Sequence, residues 1–149
     1  MTSKKNIDAH ALQFFVPKEI EGASVPLIQS GISAGFPSPA DDFKETRISL
    51  DKTLITNKES TFYARVSGKS MIDAGLDNGD LLVIDRSLEP ENGKIAVCFI
   101  DGEFTVKRLK IEKDVLFLMP ANKQYKPIKI TNENNLIIWG IVTYVIKSV

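Results

Sequence analysis

From Thr61 to the C-terminus, turn residues break the chain every few positions into short β-favouring runs, a spacing that leaves little room for helices. Thr61 to Val66 reads as a strand. Asp77-Asn78-Gly79-Asp80 is a turn leading into Leu81 to Asp85, and Glu89 to Gly93 is a loop before Ile95 to Ile100. Asp101-Gly102 is the strongest hairpin signal, because an Asp-Gly pair suits the positive φ angles of a type I′ turn. It joins the Ile95 run to Glu103 to Ile111. Val115 to Met119, Ile128 to Ile130 and Leu136 to Ile146 supply further strands, with Trp139 as a core or inter-strand anchor. Ser49 is placed to cap one short helix through Leu50 and Leu54. The spacing predicts a mostly β, partly closed fold of short, largely antiparallel strands. No internal repeat or low-complexity tract interrupts it.

Residues 1–40 are built differently. They hold Pro17, Pro26, Pro37 and Pro39 with Gly22, Gly31 and Gly35, and no sustained helical period. This composition predicts an extended arm over 1–40 and one β-rich domain over 41–149, a size that can bury its own core. Leu12, Phe14, Phe15, Val25, Leu27 and Ile28 are apolar, so the arm is expected to pack on something rather than float free.

Nineteen basic and nineteen acidic residues give a formal net charge of zero, which removes any bulk attraction to nucleic acid or to an acidic membrane surface. Cys98 is the single cysteine and lies in an apolar run, so it reads as a buried, inert thiol in a reducing compartment. Phe14-Phe15-Val16 is cut short by Pro17 and Lys18, and no apolar stretch approaches a membrane span. The expected location is the cytoplasm, without a membrane partner. His10 is the only histidine, which argues against a metal site or a Ser-His-Asp triad. Asp73, Asp77, Asp80 and Asp85 alternate with turn residues, which favours turn capping over metal binding. Neither a metal nor another cofactor is expected.

The residues that carry chemistry are Ser70, in Val66-Ser67-Gly68-Lys69-Ser70-Met71, and Lys107, in Phe104-Thr105-Val106-Lys107-Arg108-Leu109. A serine hydroxyl is a poor nucleophile until a base takes its proton, and a lysine is such a base only when neutral. At an ordinary lysine pKa of about 10.4, roughly one in two thousand is neutral at pH 7, so the role demands a depression of roughly three units, about 4 kcal/mol. Burial without a carboxylate partner is the physical route. Period-2 alternation puts Lys107 on one face with Thr105, Leu109 and Ile111, and Arg108 and Lys110 on the other with Phe104 and Val106. A lone strand lysine more often snorkels from a sheet edge.

Ser70 has decoys that spacing excludes. A phosphate-binding loop needs glycine five residues before Gly68, where Tyr63 stands, and the serine-x-x-lysine motif needs lysine at 73, where Asp73 stands. What remains is a serine after a glycine turn, with the backbone N–H groups of Lys69 and Ser70 available as an oxyanion hole. On its own a Gly-x-Ser is more often just a turn. Met71 is expected to pack beneath that turn, and Tyr63 and Phe104 read as core.

Taken together, Gly68-Lys69-Ser70-Met71, Gly79-Asp80-Leu81-Leu82, Asp101 to Lys107 and Ala34-Gly35-Phe36-Pro37-Ser38-Pro39 resemble the self-cleaving LexA/UmuD serine peptidase family, from about Ser33 onward and in the family's order. The resemblance implies the family's β-rich peptidase fold, Ser70 as nucleophile, Lys107 as general base and Ala34-Gly35 as the scissile bond. Small Ala34 and Gly35 let that backbone approach a serine closely, and Pro37 and Pro39 keep the following residues extended. Without Ser70 and Lys107 the same stretch would read as a linker.

The branch follows from what precedes the bond. A repressor's helix-turn-helix domain takes roughly sixty residues or more, whereas thirty-four stand here, interrupted by Pro17, Gly22, Pro26 and Gly31. The short-armed UmuD branch fits, and no direct sequence-specific DNA binding is expected. That resemblance implies a role in the SOS damage response and error-prone DNA synthesis. Its partners would be a RecA filament on single-stranded DNA that stimulates self-cleavage, a UmuC-like Y-family DNA polymerase that takes up the shortened form, the replication sliding clamp, and a second copy in a homodimer. Two departures are visible: Ala34 precedes the bond as in the repressor branch, where UmuD often has cysteine, and the arm is somewhat longer. The alternatives are a LexA-like or phage-type repressor fragment, and a non-cleaving adaptor with a vestigial dyad.

Overall fold

A computed structural model describes residues 12–17, 24–27, 46–68 and 71–149. They fall into two compact units, one formed by Asn57–Val149 together with the N-terminal segment up to Pro17, the other lying within Lys18–Thr56.

The second unit is small. Strand β2 (Ser24–Leu27) pairs antiparallel with β3 (Thr46–Ser49) in the register Ser24↔Ser49 to Leu27↔Thr46. A single helical turn, α1 (Leu50–Leu54), follows. Ser49 stands at its N-cap with extended backbone, as expected, but its side chain makes no capping bond. Its carbonyl instead accepts the Thr53 hydroxyl at 3.0 Å.

The larger unit is one antiparallel sheet in the order β1-β4-β5-β10-β6-β7-β8-β9 among the described residues. Its strands are β1 (Leu12–Phe15), β4 (Thr61–Val66), β5 (Leu81–Asp85), β6 (Ile95–Ile100), β7 (Glu103–Glu112), β8 (Val115–Met119), β9 (Ile128–Lys129) and β10 (Leu136–Ile146). The mostly β, largely antiparallel expectation holds, and from Thr61 onward the strand runs match to within a residue or so. The Asp101-Gly102 turn has φ angles of 48° and 88°, the pair that lets a tight turn follow the twist of β6 and β7. β1 and β2 are strands within the segment that reads as an arm. Each is four residues long, and β1 takes its partner some fifty residues away, Leu12 opposite Val66, so no local window reveals it.

Each face of the sheet carries a buried core cluster, and alternation decides which residue goes where. On β6, Val97 joins one core with Ala64, Val66, Met71, Leu76, Leu82, Ile84 and Val106, while Ala96 and Cys98 join the other with Leu109, Leu118 and Ile141. Burying a side chain such as Leu82 or Leu118 contributes about 1.5–3 kcal/mol. β10 shifts register against β6, with Ile138 opposite Cys98 and Gly140 opposite Val97, so Trp139 is the extra residue of a bulge. Ile138 and Ile141 therefore share one core although three positions apart, and Trp139 is turned to the other. There it meets Phe14 at 4.7 Å and Phe62 at 5.1 Å between ring centroids, and Arg86 lies 4.4 Å over its ring. Trp139 is thus the anchor expected of it. Among the described residues no helix is long and apolar enough to cross a membrane.

Candidate active site

The chain on either side of residues 69 and 70 is fastened at several points. β4 ends at Val66, whose N–H donates to Asp80 O and whose carbonyl accepts from Gly79, each at 2.8 Å. Gly68 then takes a left-handed φ of 98°, a conformation that favours glycine, and its N–H donates to Asn78 Oδ1 at 3.3 Å. On the far side Met71 is 3% exposed, in the core that also holds Val66 and Leu76. Its carbonyl accepts from Ala74 and Leu76, and its sulfur accepts the Ala121 N–H at 3.2 Å. The Asp73 N–H returns to Ala121 O at 2.7 Å, so the loop after β8 is bonded to Met71 and Asp73.

The returning segment is held in turn. Asp80 Oδ2 accepts the Asp77 N–H at 2.8 Å and Lys147 Nζ at 2.6 Å, and Lys147 also reaches Asp77 at 2.5 Å. Burial pushes the Asp80 carboxyl up, but the bonds from Lys147 and Asp77 outweigh it and hold the group below its ordinary value. Asp85 likewise accepts the Ser87 N–H. These two aspartates fasten turns, and among the described residues no cluster of three or more His, Cys, Asp or Glu is arranged to hold a metal.

The lysine comes from β7, placed by the β6–β7 hairpin with Lys107 opposite Ala96 and Thr105 opposite Cys98. Lys107 is 6% exposed, on the face that also buries Leu109. Its Nζ donates to Thr105 Oγ1 and, at 3.2 Å, to the Val106 carbonyl. Burial pushes the neighbouring Cys98 thiol up to about 12, against the pull of the Lys107 charge. Thr105 in turn lines a small cleft together with Val106, Leu12, Val66, Leu76, Ser67, Gly68 and Met71. The lysine's hydroxyl partner therefore borders the same cleft as the residues flanking positions 69 and 70.

Lys107 is the member of the expected site that the structure describes. Ser70, Lys69, Ala34, Gly35 and His10 lie outside the described residues. Thr105, Asn78 and Ala121 are not singled out in the sequence. Period-2 alternation places Thr105 on the lysine's face, a signal sufficient to find it; the contacts of Asn78 and Ala121 depend on tertiary structure.

A fold of short antiparallel strands, with a buried lysine beside a glycine-turn cleft, matches a known class. The Peptidase S24-like family matches residues 26–143, and the chain belongs to that family, the serine peptidases of the LexA/UmuD group. Within it the chain is UmuD-like. It is 42% identical over 122 residues to Protein ImpA of Salmonella typhimurium, covering 81% of this chain and 82% of the relative. It is equally similar to Protein MucA of Escherichia coli, with 81% and 83% covered. A LexA repressor of Alcanivorax borkumensis is 38% identical over 117 residues, covering 78% of this chain but 56% of that protein.

Proposed function

We propose that this protein cuts its own chain between Ala34 and Gly35, with Ser70 as nucleophile and Lys107 as general base. The observation that carries the reading is Lys107 itself: an amine buried on a strand face, bonded to a hydroxyl on the cleft beside the Gly68 turn. General-base work by a lysine needs the neutral amine.

In the reaction, neutral Lys107 Nζ takes the Ser70 hydroxyl proton as Oγ attacks the Ala34 carbonyl carbon. The N–H groups of Lys69 and Ser70 stabilise the oxyanion. Collapse of the tetrahedral intermediate breaks the Ala34-Gly35 bond, and the protonated Lys107 returns its proton to the Gly35 amine as it leaves. Water, activated by the same lysine, then hydrolyses the acyl-Ser70 ester. Because catalyst and substrate share a chain or a dimer, effective concentration is high and placement of the arm, residues 1–40, controls the rate.

The UmuD-like resemblance supports the biological setting: a cytoplasmic homodimer in SOS mutagenesis, stimulated by a RecA filament on single-stranded DNA. Its shortened form serves a UmuC-like Y-family polymerase and meets the replication sliding clamp. The deciding experiment is mass spectrometry of the purified chain at raised pH, and with and without RecA, ATP and single-stranded DNA, alongside Ser70→Ala and Lys107→Ala. A fragment starting at Gly35 is expected from the wild type alone. Its appearance in either variant would remove the dyad assignment, and its absence from the wild type under all conditions would favour a non-cleaving adaptor.

A further inference from the structure

Two separate ladders span the segment that would be cut. β1 lies along β4 from Leu12↔Val66 to Phe15↔Tyr63, and β2 lies along β3 from Ser24↔Ser49 to Leu27↔Thr46. A break anywhere in residues 28–45 leaves β1 and β2 on one piece and β3 and β4 on the other. We propose that the N-terminal piece stays seated after the cut, so that breaking the bond and uncovering the outer edge of β4 are two separate events.

The seat on β4 is built for side chains as well as backbone. Phe14 is inserted among rings, 4.9 Å from Phe104 and 4.7 Å from Trp139, and Phe104 continues the stack to Phe99 at 4.8 Å. Leu12, two residues earlier and on the same face, lines the cleft with Val66 and Met71. Phe15 and Val16 are exposed. Main-chain pairing with two anchors at alternate positions is the pattern by which a sheet edge captures an extended peptide. The occupant is this chain's own Leu12–Phe15, and without it β4 would present an unpaired edge beside an aromatic shelf. Since β1 and β2 belong to one piece, opening one ladder leaves the other holding it. A partner that takes this edge must therefore displace the piece, with an extended segment carrying apolar residues two positions apart.

The natural occurrence of the cut rests on the proposed self-cleavage, but the test does not. In full-length Ser70→Ala protein, a recognition site for a specific added protease is inserted within residues 28–45, and the nicked product is run on size exclusion at micromolar concentration. The N-terminal piece is expected to co-elute with the remainder, and the amides of β4 to keep their protection from hydrogen exchange. Separate elution, or loss of β4 protection on nicking, overturns the proposal. Phe14→Ala in the nicked protein is expected to speed release about tenfold or more; an unchanged release rate overturns the anchor role of Phe14. If the wild type never cleaves itself while the nicked protein still holds its piece, the functional reading fails and this one stands.

Discussion

Thr105 Oγ1 accepts a hydrogen bond from Lys107 Nζ, two residues apart on one face of β7. A flexible four-carbon stem would otherwise sample many positions, so a fixed acceptor narrows where the amine can stand. Thr105→Val keeps the shape and removes the acceptor. Self-cleavage is expected to fall about tenfold, the equivalent of one hydrogen bond in a barrier, while Thr105→Ser keeps most of the rate. Time courses of the fragment beginning at Gly35 decide it, and an unchanged rate in Thr105→Val separates Thr105 from the reaction.

Cys98 sits across the ladder from Thr105 and is fully buried. Burial raises its thiol to about 12 against the opposing charge of Lys107, so both thiolate content and access are low. Native protein at pH 8 is expected to react with a disulfide reagent at less than about one-hundredth of the rate in denaturant. A comparable native rate would mean that the core around Ala96 and Leu118 opens readily.

The strand runs from Thr61 onward are legible because each alternates, or is continuously apolar, between turn residues that punctuate it. Lys107 is legible as a buried candidate for the same reason, since alternation puts it on the face of Leu109. β1 escapes because its reason for being a strand is Phe14 docking against Phe104 and Trp139, residues about ninety and more positions away. β2 even contains Pro26, which supplies no ladder donor and argues locally against a strand. The bulge at Trp139 is hidden too, because Leu136 to Ile146 reads as one apolar run with no sign of where its two faces exchange. In the site, the fastening of Gly68 by Asn78 and of Met71 by Ala121 joins a backbone N–H to a side-chain amide oxygen and to a thioether, across 10 and 50 positions. Such contacts leave no pattern in a sequence.

Gly140 follows that bulge and has no room for a side chain. A Cβ there would stand 2.6 Å from Ile84 Cγ2 and 3.3 Å from Arg86 Cγ. Ile84 is fully buried in the core, so its branch methyl cannot swing aside. Gly140→Ala is expected to cost about 1–3 kcal/mol through overpacking, a fall in Tm of roughly 3–10 °C. Calorimetry checks it, and a Tm unchanged within a degree would show that β10 and β5 separate there at little cost.

Asp85 joins the end of β5 to the segment entering β4. Its carboxylate accepts from Ser87 Oγ at 2.6 Å, from Asn57 Nδ2 at 2.9 Å, from the Ser87 N–H at 2.8 Å and from Ser60 Oγ at 2.7 Å. Burial alone would raise its pKa, but these bonds favour the charged form more strongly and bring it from 3.8 down to about 2. A folded value below the unfolded one means that the unfolded chain binds the proton first as acid is added. The stabilisation is therefore fully present above the ordinary value near 4 and is lost as the pH falls towards about 2, with an upper size of about 2 kcal/mol. Urea unfolding of wild type and Asp85→Asn is expected to show the gap at pH 6 and its narrowing between pH 4 and pH 2. Asn57→Ala, which removes one donor, should move the acid midpoint of that narrowing upward. A wild-type advantage that is constant from pH 6 to pH 2 would mean that packing around β5, and not the carboxylate charge, carries the effect.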